Sequence, residues 1–231
     1  MLRDYFELTK PAMVRANVFI AAAVYLFASH WQVDWTVFLL LLLGLTFTIA
    51  GGCVLNNIYD KDIDAKMSRT KNRVMTTGRI NLNAAMVFGA FLVALGIKLL
   101  WFINTPTLIA GLVGALVYVF VYTPLKHTSG LSLYVGAVAG ATPPLIGYAA
   151  ATGTLDSVAW LLFAFMFLWQ VPHFFAISRY RYDEYAAAGI PLLVARPKDE
   201  AARTQARKLF FGSLIFLLLA CVMLAAIGYF A

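Results

Sequence analysis

Residues 35–73 read WTVFLLLLLGLTFTIAGGCVLNNIYDKDIDAKMSRTKNR. The first part, Trp35 to Leu55, is almost wholly apolar; the second turns abruptly to carboxylates and then to Lys and Arg. A helix needs roughly 20 mostly apolar residues to cross the hydrocarbon core of a bilayer, so the first part reads as a membrane span. Carried outward from it, the same reading gives seven runs, near 12–30, 35–55, 83–103, 106–123, 131–151, 157–178 and 208–230. The whole chain of 231 residues is 62% hydrophobic and only 13% charged, with a mean hydropathy of +0.80. A soluble domain averages about 45–50% apolar residues. Ten-residue segments of strict alternation, the mark of a membrane β-barrel, are not seen, and backbone groups in lipid must be satisfied within each segment. The expected fold is therefore all-α, a polytopic membrane helical bundle of about seven transmembrane helices, forming one membrane domain over 1–231.

The charges set its topology. The N-terminus, MLRDYFELTKP, carries Asp4 and Glu7 before the first run. That is a poor leader for a cleaved signal peptide, so the run is expected to be a retained helix. All but one of the 18 Lys and Arg lie before or at the start of the first run, between runs two and three, just after run four, or between runs six and seven. Seven helices put these segments on one side; Lys98, near the far end of run three, can snorkel outward. The positive-inside rule then predicts a cytoplasmic N-terminus, cytoplasmic loops at 56–82 and 179–207, and a C-terminus outside. The net charge of +7 is on this reading a topology signal, and no nucleic-acid partner is expected. Cys53 and Cys221 sit in apolar runs, give neither a disulfide framework nor a metal spacing, and read as small packing residues.

Asn56, Asp60 and Asp64 are spaced by four. At 100° per residue they share one helical face over two turns, while Asp62 points away. Like charges on one helix end repel, and something positive belongs between them. A calcium loop is excluded, because the sixth position, which wants Gly, is Ala65 and the twelfth, which wants Glu, is Lys71. Mg²⁺ fits better: it takes one or two protein carboxylates, keeps waters and is completed by substrate phosphates. Arg69, Lys71 and Arg73 follow at once and suit the outer oxygens of a diphosphate. The expected ligand is a lipid diphosphate; a solvated loop of balanced charge is the plainer alternative. Mg²⁺ and basic groups stabilise charge on a departing diphosphate. If the leaving group is allylic, an aromatic-rich cavity excludes water and faces the cation; the chain holds 18 Phe, 11 Tyr and 5 Trp.

Two further runs carry unusual residues. Run five contains Thr142, Pro143 and Pro144 with Gly136, Gly140 and Gly147 nearby, and run six contains Trp169, Gln170, Pro172 and His173. Proline frees a carbonyl, which a membrane tolerates where neighbours or a cavity satisfy it. Ordinary packing remains open for run five; the polar residues of run six point toward a cavity lining.

The motif N-x-x-x-D-x-x-x-D after the second span resembles the intramembrane prenyltransferases that alkylate aromatic acceptors. The string GGCVLNNIYDKDIDAKMSRTKNR is similar to that of one branch, the protoheme IX farnesyltransferases or heme O synthases. LTKP, VYTPLKHTS, GATPPLIGY, WQVPHFFAI and YDEYAAAGIPLL carry the same resemblance, from about residue 8 to 194. It implies transfer of the farnesyl group of farnesyl diphosphate to a vinyl group of heme B, with addition of water and release of diphosphate. It implies a bacterial cytoplasmic membrane location, Mg²⁺ as cofactor, and heme B and farnesyl diphosphate as partners within the lipid bilayer.

By position, the resemblance assigns Asn56, Asp60 and Asp64 to Mg²⁺ and diphosphate, and Arg69, Lys71 and Arg73 to phosphate oxygens. Asp183 and Glu184 match the acidic part of the second motif and are further candidate metal ligands, and Arg181 beside them is expected to contact diphosphate. His173 is expected to contact the porphyrin, and Lys126 and His127 to meet a propionate or a phosphate. The family normally has nine membrane helices; here the chain passes from the second motif almost directly to the last, so the resemblance implies that two are missing. A gap in the cavity wall is expected: the chain is then a compact active version, a folded but impaired one, or one whose gap a partner or a second copy fills. A non-catalytic protein binding heme or prenyl diphosphate, and a prenyltransferase acting on another aromatic acceptor, remain the alternatives.

Overall fold

A computed structural model of the chain describes residues 1–230. The described residues are helical and contain no strand. A short helix α1 (Leu2–Leu8) leads into the first long helix α2 (Pro11–Ala28), followed by α3 (Trp35–Tyr59), a single turn α4 (Lys61–Asp64) and α5 (Leu82–Trp101). Next come α6 (Thr105–Leu116), a π-helical turn (Val117–Tyr122) and α7 (Thr123–Leu125), which together make one continuous rod. Then α8 (Ser132–Gly140) and α9 (Thr142–Thr152) follow, then α10 (Ser157–Tyr180), α11 (Tyr182–Ala187) and α12 (Glu200–Phe230). Seven of these rods are long and apolar enough to cross a membrane.

Helix ends follow local chemistry. Asp34, Asn81, Asn104 and Asp156 cap α3, α5, α6 and α10 by accepting from backbone N–H groups of the first turn. Run five is broken at Ala141, where Pro143 and Pro144 open α9; proline is suited to the first turn because that N–H has no partner anyway. The last helix starts at Glu200, not near 208 as its apolar run suggests. EAARTQARK is polar but rich in strong helix formers, and the Asp199 carboxylate accepts from Ala202 N.

The most intimate pair is α3 with α5. A Cβ on Gly51 would stand 2.6 Å from the Gly89 carbonyl oxygen and 2.7 Å from the Val93 nitrogen, so glycine there lets two backbones meet, as membrane packing favours. The central core joins Tyr25 of α2, Leu41 and Leu45 of α3, Leu100 of α5 and Ile146 of α9.

α12 packs against both α10 and α2. Near its middle it meets α10, where Trp169 Nε1 donates to the Ser213 carbonyl (3.1 Å). Near its end it meets α2, where Trp31 Nε1 donates to the Ala225 carbonyl (2.8 Å) and Gly228 lies against Phe27. This one helix thus joins the sixth span to the first. Its outer face, including Leu214, Leu218 and Met223, is exposed and apolar.

Candidate active site

Asp60 N bonds to Asn56 O (2.9 Å) and Asp64 N to Asp60 O (2.8 Å). The i→i−4 pattern therefore runs through the α3–α4 junction, and the spacing of four keeps Asn56, Asp60 and Asp64 on one face. All three are buried, at 1–2% exposure, while Asp62 is exposed. A charge moved out of water is costly unless paired, and the bundle supplies the pairs. Lys126 Nζ lies 2.7 Å from Asp60 Oδ2, and His127 Nε2 lies 3.0 Å from Oδ1. Arg73 Nη1 lies 2.6 Å from Asp64 Oδ2. Asp64 Oδ1 has no partner although it is fully enclosed. Burial alone would raise the Asp60 carboxyl, but the Lys126 charge and hydrogen bond outweigh it and hold it below the ordinary carboxylate value.

Asn56 is clasped from both sides. It accepts from Lys10 Nζ (2.5 Å) and donates to Thr123 Oγ1 (3.0 Å). Lys10 reaches it because its backbone is left-handed (φ 51°, ψ 63°) between α1 and α2, a conformation uncommon outside glycine and found at strained functional positions. Burial pushes the Lys10 ammonium down to about 8, with the Arg73 and Lys126 charges acting the same way. Asn57 next door donates to the Leu8 carbonyl (2.8 Å). So α1 is fastened to the motif, and Arg79 ties it again through Asp4 (2.5 Å) and Glu7 (3.2 Å).

The π-helical turn sits beside this cluster. It stacks Tyr118 on Tyr122, with centroids 5.5 Å apart, and ends at Thr123, the partner of Asn56. Single π turns recur at functional sites. Tyr122 lies against Gly136, where a Cβ would approach its ring to 2.8 Å.

Arg69 and Lys71, on the loop that follows α4, are exposed. The second motif does not join the first as one cation cluster. Asp183 is held by Arg196 (3.0 Å) and Arg203, and Glu184 accepts from Ser68 Oγ (2.6 Å) and faces Arg181 (3.5 Å). The two loops nonetheless meet, through the Ser68–Glu184 bond and an apolar contact of Ile63 and Met67 with Ala188 and Ile190. Among the described residues no group of three or more His, Cys, Asp or Glu is placed to hold a metal by itself. A cation completed by substrate oxygens needs less: Asp60, Asp64 and the Asn56 amide oxygen fit Mg²⁺, and the partnerless Asp64 Oδ1 is a free ligand atom.

His173 lies elsewhere, between α10 and α12. Its ring is stacked between Trp169 and Phe210, each 4.8 Å away. Ser213 donates its hydroxyl proton to the Phe210 carbonyl (2.7 Å), so its 2.7 Å contact with His173 Nδ1 is best satisfied by an Nδ1–H donor. That leaves Nε2 with the lone pair.

Lys10, Asn57, Thr123 and Ser68 carry parts of the site that sequence reading leaves without a role. Lys10 is disguised as one more basic residue at a helix start; the signal for it is Lys placed directly before the Pro that opens a span.

The model of the UbiA prenyltransferase family matches residues 17–231. The chain is 42% identical over 195 residues to a protoheme IX farnesyltransferase of Klebsiella pneumoniae, covering 84% of this chain and 66% of that protein. It is 42% identical over 194 residues to protoheme IX farnesyltransferase 1 of Shewanella frigidimarina, covering 83% and 64%. The chain thus spans about two thirds of the length of these curated relatives. Among solved structures, a UbiA homolog from Archaeoglobus fulgidus bound to GPP and Mg²⁺ superposes with a TM-score of 0.71 at 17% identity, over 98% of this chain and 83% of that one. The apo UbiA homolog from Aeropyrum pernix K1 gives 0.70 at 20% identity, over 92% and 80%. These likenesses concern the fold.

Proposed function

The chain belongs to the UbiA prenyltransferase family, and from that footing we propose that it transfers the farnesyl group of farnesyl diphosphate to a vinyl group of heme B. One molecule of water adds, and heme O and diphosphate are the products. The observation that carries the reading is the pair of buried carboxylates, Asp60 and Asp64, set among Lys126, His127 and Arg73 with one carboxylate oxygen left free. The names of relatives at 41–42% identity support the choice of heme and farnesyl.

Asp60, Asp64 and Asn56 would hold Mg²⁺, which supplies charge neutralisation for the leaving diphosphate. Arg69, Lys71, Arg73 and Lys126 orient the diphosphate and bear its negative charge as the allylic C–O bond breaks. Arg181, drawn toward the first loop by its neighbour Glu184, adds a further guanidinium. The stacked Tyr118 and Tyr122 offer ring faces to the allylic cation and help keep water away. The vinyl carbon supplies the electron pair of the new C–C bond, and water then closes the cation left on the heme side. His173, with Nε2 as its acceptor, is the side chain suited to porphyrin iron. The protein lies in the bacterial cytoplasmic membrane, with its basic loops and site facing the cytoplasm.

A second reading has one specific motive. The chain runs from the second motif into α12 without the intervening pair of helices that the resemblance implies, which suits a protein that binds heme or prenyl diphosphate without turnover. One experiment separates the two. The chain is expressed in a bacterial host lacking its own heme O synthase, and membrane hemes are separated by chromatography with mass detection. A farnesylated heme that disappears in Asp60→Ala is expected. Heme B alone, from a chain shown to be inserted and folded, overturns the enzyme reading.

A further inference from the structure

A groove of about 670 Å³ lies between α1, α2, α3 and α5. Phe6, Val14, Phe19, Phe47, Phe88 and Leu92 make its walls apolar. The reaction proposed above uses none of them. Among the described residues its single charged lining group is Arg15, which is exposed and lies in no ion pair.

The groove has the length of one lipid chain. Along α2 it runs from Pro11 to Ala22, roughly 16 Å at 1.5 Å per residue. That is about half of a hydrocarbon core roughly 30 Å thick. The end marked by Pro11 is the end that carries Lys10 and the basic loops, so the groove occupies a single leaflet, the one on the basic side. A guanidinium about one turn inside an apolar span is costly unless it reaches an anion. Its fork matches phosphate oxygens, and its stem is long enough to reach the headgroup layer.

We propose that this groove is a binding site for an anionic phospholipid of that leaflet. One acyl chain lies between α2, α3 and α5, and the headgroup phosphate rests on the Arg15 guanidinium. The lipid also touches the site's support. Tyr5, Phe6 and Thr9 close one end of the groove, and on the same segment the Leu8 carbonyl and Lys10 hold Asn57 and Asn56. A lipid in place keeps α1 seated against the carboxylate motif.

The test uses the purified full chain. Native mass spectrometry in detergent follows titration with phosphatidylglycerol and phosphatidylcholine of matched chains. Hydrogen exchange of residues 2–10 is followed in nanodiscs of either lipid. Phosphatidylglycerol is expected to bind about fivefold more tightly than phosphatidylcholine, the worth of one basic side chain at a lipid surface. Arg15→Lys keeps that ratio and Arg15→Gln brings it to one. Ala22→Phe, which fills the deep end, weakens both lipids and removes the slowing of exchange in α1. Equal binding of the two lipids by the parent protein, or an unchanged ratio in Arg15→Gln, overturns the proposal. So does displacement of phosphatidylglycerol by one equivalent of farnesyl diphosphate, which would make the groove part of the substrate's route.

Discussion

Arg73→Met isolates what a single cation does for the carboxylate motif. Asp64 is 2% exposed and has one ionic partner, Arg73, at 2.6 Å; its other oxygen already has none. The substitution keeps most of the side chain's bulk and removes the guanidinium, leaving both carboxylate oxygens enclosed without a counter-charge. Removing one partner of a buried ion pair costs about 3–5 kcal/mol. Arg73 also touches Asn57 only weakly, at 3.4 Å, so the lower end, about 3 kcal/mol, is the expected loss. For a domain of this length that lowers the melting temperature by about 6–12 °C. Lys126→Met should cost less, because Asp60 keeps His127. The assay is thermal unfolding of the purified protein in detergent with a thiol- or tryptophan-based readout. Asp64→Asn combined with Arg73→Met should recover most of the loss, since it removes the unpaired charge as well. Added Mg²⁺ should raise the melting temperature of Arg73→Met more than that of the parent, because it offers a cation to the same carboxylate. Arg73→Met melting with the parent, or a double variant no better than the single one, refutes the argument that Asp64 is a buried charge in need of a cation.

The Asp60 carboxyl is held below its ordinary value, so its stabilising contribution is complete above about pH 4 and is lost as pH falls through the lower native value; in metal-free detergent the stability gap between parent and Asp60→Asn should close on acidification toward pH 3, and a gap unchanged between pH 6 and 3 would contradict this. Gly51→Val should cost about 3 kcal/mol or more, because its Cβ would meet Gly89 and Val93 backbone atoms that cannot rotate aside; melting temperature and folded yield report it, and a parent-like melt would show that α3 and α5 have room to part. His173→Ala should weaken heme binding about tenfold or more while leaving diphosphate binding within twofold, as measured by heme absorbance titration beside calorimetry with inorganic diphosphate; equal heme affinity removes His173 from the heme site.

The spans and the Asn56, Asp60, Asp64 face were legible because each rests on a local period: twenty apolar residues for a helix, four residues for a face. The partners were not. Lys126 and His127 stand out in the sequence only as a basic pair at a helix end, and their meeting with Asp60 depends on how the fourth rod crosses the second. The π turn that precedes them leaves no mark in VYVFVY, since one extra residue in a helical turn changes no propensity. It is a tertiary accommodation, set by Gly52 and Gly136 making room for Tyr118 and Tyr122. Lys10 was hidden for a different reason. A lysine at the basic end of a span already has an explanation in topology, and only its left-handed backbone reveals that it is aimed at Asn56.

The last helix packs against both the sixth span and the first. α12 meets α10 through Ser213, beside Trp169 and His173, and α2 through Ala225 and Gly228, beside Trp31 and Phe27. Cys221, Leu217 and Ala225 fill the crossing with Ile20, Ala23 and Met166. The helix is 31 residues long and spans roughly 46 Å, more than the hydrocarbon core requires, because its first turns, EAARTQAR, are polar and precede the apolar run. Those polar turns carry Arg203, which pairs with Asp183 of the second motif. The aromatic bracket around His173 is therefore built jointly, by Trp169 of α10 and by Phe210 and Ser213 of α12, and any change that displaces this helix acts on the proposed heme side before it disturbs the carboxylates clasped by Lys126 and Arg73.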